Sequence, residues 1–202
     1  MTIYLSYSYN GTKWFDYTIG DVISLPKVGS KVYFAARGNA TNTQISSGAR
    51  LYRTFVTTGT IAASGNIMSL VKNDPTGWDV QIGTRCFLNL FNGAGITSAP
   101  DLPGTKLADY CYQNMFVGCT KLRKVPSILP STAGHNSMYY SMFFNCQLIE
   151  EAPEIMLSSS NTTRCMYQMF YNCYKLKKIR VHFPSWSYIN GEATTNQWVG
   201  GV

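Results

Sequence analysis

Cys111-Tyr-Gln-Asn-Met-Phe-Val-Gly-Cys-Thr-Lys-Leu is followed at a fixed distance by Met138-Tyr-Tyr-Ser-Met-Phe-Phe-Asn-Cys-Gln-Leu-Ile and then by Cys165-Met-Tyr-Gln-Met-Phe-Tyr-Asn-Cys-Tyr-Lys-Leu. Met115, Met142 and Met169 lie 27 residues apart, and each precedes a phenylalanine: Phe116, Phe143, Phe170. Cys119, Cys146 and Cys173 keep that step, as do Leu122, Ile149 and Leu176, then Val125, Ala152 and Ile179, then Pro126 and Pro153. An earlier copy aligns at a step of 25 through Cys86, Leu90 and Phe91, with one deletion before Ile96, Ala99 and Pro100. Four copies thus run from Gly83 to Tyr188. A unit this short buries its apolar face only against its neighbours, so the repeat decides the fold.

Punctuation inside each copy predicts one short helix. Thr84, Asp109, Asn136 and Thr163 share a column, and their side-chain oxygens suit the N-cap, where they accept from the free amides of a first turn. Nine residues on stand Gly93, Gly118, Asn145 and Asn172, the types that take a left-handed C′ position at low cost. Cys111, Tyr112, Met115, Phe116 and Cys119 form one helical face between these caps. The stretch 120–128, with Leu122, Val125, Pro126 and Ile128, reads as a short strand and turn. Stacked strands would place Arg123, Glu150 and Lys177 in one column and Lys124, Glu151 and Lys178 in the next, so charges alternate across the sheet and favour that register. At exposed positions each such pair is worth about 0.2–1 kcal/mol, against roughly 1.5–3 for a buried Met or Phe.

The Met-Phe-x-(Gly/Asn)-Cys core resembles the BspA-like leucine-rich repeats, and Ala99-Pro-Asp-Leu-Pro-Gly-Thr-Lys-Leu-Ala is similar to the linker between such repeats in proteins of gut Bacteroidales and their phages. The resemblance covers about half the chain and is broken at Met138 and Ala94, where Cys is expected, and at Arg180, where Pro is expected. It implies a leucine-rich-repeat solenoid and a non-catalytic, surface-displayed binding or adhesion module; it names no ligand.

The expected fold class is therefore α+β. Residues 1–82 form a β-rich N-terminal domain or cap, residues 83–188 a BspA-like solenoid with one helix and one strand per 25–27-residue repeat, and residues 189–202 a C-terminal capping segment. The first part lacks Cys and carries the strand-like runs Ile3-Tyr-Leu, Tyr33-Phe-Ala-Ala, Leu51-Tyr-Arg-Thr-Phe-Val and Asn66-Ile-Met-Ser-Leu-Val. It is expected to cover the first repeat, whose strand edge and apolar end would otherwise be open. Asp74-Pro-Thr-Gly reads as the boundary turn, Asn190-Gly as a hairpin turn, and Trp198-Val as a segment folding back over the last repeat.

Of 202 residues, 45% are hydrophobic and 13% charged, which excludes a disordered chain. No apolar run approaches the roughly 18 residues of a membrane helix, so no transmembrane segment is expected. Met1-Thr-Ile-Tyr-Leu-Ser has neither the basic nor the apolar part of a secretory signal; cytoplasmic synthesis with display on a cell surface or a phage virion is the expectation. A net charge of +7 favours anionic partners but comes without the dense basic runs of a nucleic-acid tail.

The six thiols fall eight apart within a copy (Cys111 and Cys119, Cys165 and Cys173), unlike Cys-x-x-Cys zinc hooks, so no metal is expected and the thiols are read as reduced and buried. His135 and His182 are the only histidines and belong to no nucleophile elbow or phosphate loop; no cofactor and no enzymatic activity are expected. Asn10-Gly-Thr, Asn39-Ala-Thr and Asn161-Thr-Thr match the glycosylation acceptor, a pattern common by chance. Two surfaces compete for binding. Tyr140, Phe144, Tyr167 and Tyr171 lie between the core columns and suit sugar stacking or protein contact, unless they pack into the core or a homo-oligomer. Arg123, Lys124, Lys177 and Lys178, with Lys121, Lys175 and Arg180, suit anions, unless the ladder neutralises itself. The functional expectation is a recognition, adhesion or structural module whose partner is a protein or glycan on a cell surface, or a neighbouring virion subunit. Its rival is a carbohydrate- or anionic-glycan-binding module of a secreted bacterial adhesin.

Overall fold

The computed structural model describes residues 3–38, 41–42, 45, 53–73, 79–130, 134–157, 162–182, 188–189 and 192–193. In the first copy, the backbone N–H groups of Arg85, Phe87, Asn89, Phe91 and Gly93 donate to the carbonyls of Asp109, Cys111, Gln113, Met115 and Val117 in the second. The intervening amides, of Cys86, Leu88, Leu90, Asn92 and Ala94, turn back to the carbonyl three residues earlier. The second copy holds the third in the same way, from Tyr110 to Gly118, and the third holds the fourth from Ser137 to Asn145. Each copy is thus a ribbon of consecutive tight turns, laid flat against the next.

Every fourth residue of these ribbons is left-handed. Arg85, Asn89 and Gly93 are matched by Tyr110, Asn114 and Gly118, by Ser137, Ser141 and Asn145, and by Arg164, Gln168 and Asn172, all with φ between +49° and +71°. This overturns the α+β expectation with its one short helix per repeat: no α-helix occurs among the described residues. An α-helix would send every amide to the carbonyl four residues back, and two turns of it are unstable alone. The ribbon instead commits half its amides to the neighbouring copy. A left-handed residue other than glycine costs about 1–2 kcal/mol, offset by cross-copy hydrogen bonds worth about 1 kcal/mol each and by the burial they enforce. Gly93, Gly118, Asn145 and Asn172 are left-handed as a C′ residue would be, but theirs is one of three such columns. The N-cap column works between copies too. Asp109 Oδ1 accepts from the Asn136 N–H at 3.0 Å, and Asn136 Oδ1 from the Thr163 N–H at 3.2 Å.

The other wall is a small parallel sheet ordered β4 (Ile128–Leu129), β5 (Glu151–Ile155) and β6 (Lys178–Val181). Glu151 pairs with Lys178 and Glu154 with Arg180, so a bulge over Ala152 and Pro153 changes the step between strands from 27 to 26. Proline has no amide for the ladder, which makes it a natural seat for a bulge. The strands are short, and with the ribbons they do not close into the coils of the expected leucine-rich-repeat solenoid.

At the N-terminal end, β1 (Leu5–Ser8) lies between β2 (Phe15–Tyr17) and β3 (Tyr33–Ala36) in an antiparallel sheet. A further segment runs beside the first copy. Phe55, Ile61, Ala63 and Ile67 donate amides to the carbonyls of Leu90, Gly95, Ser98 and Asp101, and the segment ends in a 3₁₀ turn, Ile67–Leu70, capped by the Asn66 side chain. The two chains approach closely at Gly95, where a Cβ would stand 2.6 Å from the Gly59 carbonyl oxygen. The core continues through this junction: Phe55, Phe91, Phe116, Phe143 and Phe170 stack in series with centroids 5.3–5.6 Å apart, and Phe34 meets Phe55 edge-on at 5.2 Å. Near the C-terminus β7 (Tyr188–Ile189) pairs antiparallel with β8 (Glu192–Ala193). Asp74-Pro-Thr-Gly, Asn190-Gly and Trp198-Val, expected as turns and cap, lie outside the described residues. Among the described residues no helix is long and apolar enough to cross a membrane.

Candidate functional site

The interior of the repeats is chemically closed. All six cysteines are buried thiols outside any disulfide. Burial pushes the thiols of Cys86, Cys119 and Cys173 up to about 12 and that of Cys165 to about 11, with Cys111 and Cys146 also raised. They therefore stay protonated at neutral pH and are poor nucleophiles. Cys119, Cys146 and Cys173 point their Sγ at the carbonyl oxygens of Phe91, Phe116 and Phe143 at 3.0–3.1 Å. Tyr112 and Tyr139 stack at 5.8 Å, fully buried, with hydroxyls that find no partner. Among the described residues no group of three or more His, Cys, Asp or Glu side chains could hold a metal ion.

Outside, the ribbons form a wall of half-buried side chains. Tyr140 stacks on Tyr167 with centroids 4.9 Å apart and Phe144 on Tyr171 at 5.2 Å, so the four rings read from the sequence come together as two parallel ladders. Their counterparts in the second copy are Gln113 and Val117, where the ladders stop. In the column Arg85, Tyr110, Ser137, Arg164, the small Ser137 stands between two long side chains. The Arg85 guanidinium lies 4.6 Å from the Tyr110 ring centroid and that of Arg164 5.7 Å from the Tyr167 centroid. A hollow of about 440 Å³ opens here, lined by Tyr110, Gln113, Asn136, Ser137, Tyr140, Thr163 and Arg164. Of these Tyr140 stands out in the sequence as a ring and Asn136 and Thr163 as cap residues; Tyr110, Gln113, Ser137 and Arg164 belong to columns in which the copies disagree.

The sheet wall carries the charged candidates. Arg123, Lys124, Lys178 and Arg180 line an open groove of about 620 Å³ together with Glu150, Glu151 and Glu154. Lys177 Nζ bonds Glu150 Oε2 at 2.8 Å. That hydrogen bond, then the Lys177 charge, with smaller help from Lys175 and Arg123, holds the Glu150 carboxyl below its ordinary range. His182 Nε2 lies 2.6 Å from Glu154 Oε1. Central strand β5, with Glu150 just before it, thus sets three carboxylates between two rows of cations, and an anion laid across the groove meets repulsion at its middle. Of the acceptor asparagines only Asn10 is described; its side chain closes a turn through the amides of Thr12 and Lys13.

Comparison with known proteins adds no relative: no family, no curated protein and no solved structure matches this chain.

Proposed function

We propose that the chain is a non-catalytic recognition, adhesion or structural module, displayed on a cell or virion surface, that binds a macromolecular partner through the outer wall of its repeats. The observation carrying this reading is the pair of ring ladders, Tyr140 on Tyr167 and Phe144 on Tyr171. Stacked rings held by a hydrogen-bonded ribbon lose little freedom on contact, and aromatic side chains dominate the energetics of recognition surfaces. The buried, protonated cysteines support a scaffold role rather than thiol chemistry. The Met-Phe-x-(Gly/Asn)-Cys likeness to BspA-like surface proteins points the same way.

The test immobilises the full chain and titrates it with bacterial surface polysaccharides, mucin, extracellular-matrix proteins and the chain itself. Saturable binding to at least one is expected, lost in a folded Tyr140→Ala/Tyr167→Ala variant. Failure to saturate with any of them, or undiminished binding by the variant, overturns the reading.

A further inference from the structure

Two asparagine–glycine bonds lie among the described residues, and the sequence before them is nearly the same: Tyr9-Asn10-Gly11 and Phe91-Asn92-Gly93. Asparagine followed by glycine is the pair most open to attack by the next backbone nitrogen on the side-chain carbonyl, because glycine has no Cβ to hinder the five-membered ring. With such similar neighbours, a difference in reactivity must come from the fold. At Asn92 the fold ties both reacting groups. The Gly93 amide is one of the cross-copy bonds of the ribbon, donating to the Val117 carbonyl at 2.8 Å, and Asn92 Nδ2 donates to Asn89 Oδ1 at 3.3 Å. Asn10 instead lies in the exposed turn between β1 and β2. Its Nδ2 has no partner among the described residues, and the Gly11 amide donates to a side chain alone, Ser8 Oγ at 2.9 Å.

We infer that Asn10–Gly11 is a site of spontaneous covalent modification in the folded protein, closing to a succinimide and reopening to aspartate and isoaspartate, while Asn92–Gly93 is protected. The Gly11 nitrogen attacks Asn10 Cγ. The N–Cγ bond forms, the Cγ–Nδ2 bond breaks, and the proton lost by the Gly11 nitrogen leaves with Nδ2 as ammonia. Water then adds to one of the two ring carbonyls. Breaking N–Cγ restores the ordinary backbone with an aspartate in place of Asn10; breaking the bond to the backbone carbonyl carbon of Asn10 leaves the chain running through Cγ, an isoaspartyl linkage. Charge developing during the attack falls on Asn10 Oδ1. That oxygen already accepts from the amides of Thr12 at 3.0 Å and Lys13 at 2.9 Å and from Ser8 Oγ at 3.1 Å. Donors set beforehand on the oxygen that gains charge lower the barrier. The isoaspartyl product adds one backbone atom to the turn that follows the pairing of Tyr7 with Phe15.

The test incubates the full chain at about pH 7.5, where the thiols stay protonated, once folded and once unfolded in urea, and follows both bonds by peptide mapping with mass spectrometry. In the folded chain Asn10 should convert roughly tenfold or more faster than Asn92, which reacts only when the ribbon opens, and in urea the two should agree within about threefold. The product at position 10 should be a mixture of aspartate and isoaspartate. The inference is overturned if folded Asn10 converts no faster than Asn92, or if the two differ in urea as much as they do in the folded chain. Aspartate as the sole product would also overturn it, because direct hydrolysis of the amide gives no isoaspartate. Asn190–Gly191, outside the described residues, is read as a separate peptide.

Discussion

The two walls of the repeat start from the same period and treat it differently. On the ribbon wall every second amide crosses to the next copy, rings stack at 5.4 and 5.6 Å, and equivalent residues stay in step from the second copy to the fourth. On the strand wall the step slips to 26 after Pro153, and much of what faces outward is exposed charge. Register is strict where an unbroken run of backbone bonds and buried rings both demand it, and more lenient on the short strands, where a bulge interrupts the ladder and the outward charges add little.

Four measurements test that contrast. The largest effect should come with alkali. The six thiols ionise near pH 8.5 in an unfolded chain but are held up to about 11 or 12, or higher, in the folded one. The folded state therefore keeps protons that the unfolded state releases. The resulting stability is fully present below about pH 8.5 and is lost as pH rises toward the folded values. Each thiol removes about 1.4 kcal/mol per pH unit in that window, so several together should unfold the ribbons cooperatively. Urea titrations at stepped pH check this; a flat profile from about pH 8 to 10 would show that the thiols are not buried.

Next, Phe143→Ala removes a fully buried ring from the middle of the stack and should cost about 3–5 kcal/mol, whereas Ile128→Ala on half-exposed β4 should stay within about 0.5–1 kcal/mol in the same unfolding assay. Equal losses would erase the distinction between the walls. Cys146→Ala removes the S–H donor to the Phe116 carbonyl, which keeps the Cys119 amide, and should cost about 0.5–1.5 kcal/mol, with Cys146→Ser recovering part of it; an indifferent Ala variant would make the thiol mere filling. The smallest effect belongs to the charge ladder. Glu150→Gln should shift stability only slightly at low salt and not measurably at high salt, because both partners are exposed. Since the folded Glu150 carboxyl is depressed, any such contribution is present at neutral pH and fades as pH falls through its folded value.

Much of the packing was legible beforehand. The columns through Met115, Phe116 and Cys119 are buried where the period placed them, and Glu150 meets Lys177 as the alternation required. The helix was not avoidable by the same reasoning, because Asp or Thr nine residues before Gly or Asn caps a short helix and opens a turn ribbon equally well. One discriminating hint was present: Asn89 and Asn114 sit in the middle of the supposed helices, where asparagine is a poor helix former but tolerates the left-handed region they occupy. Arg85, Tyr110, Arg164 and Gln168 gave no such hint, since nothing local favours positive φ for those side chains. The hollow at Ser137 was invisible for another reason: its walls come from three copies, and only stacking brings Tyr110, Ser137 and Arg164 abreast.

By itself the sequence determined the length of the repeat, which side chains turn inward, and the alternation of charge, all consequences of residue type and spacing. Whether each copy would bond to itself as a helix or to its neighbour as a ribbon was decided only in three dimensions. An amide's choice between the carbonyl four residues behind and one in the adjoining copy turns on the bonds and buried rings that the adjoining copy supplies, and no single copy contains that information.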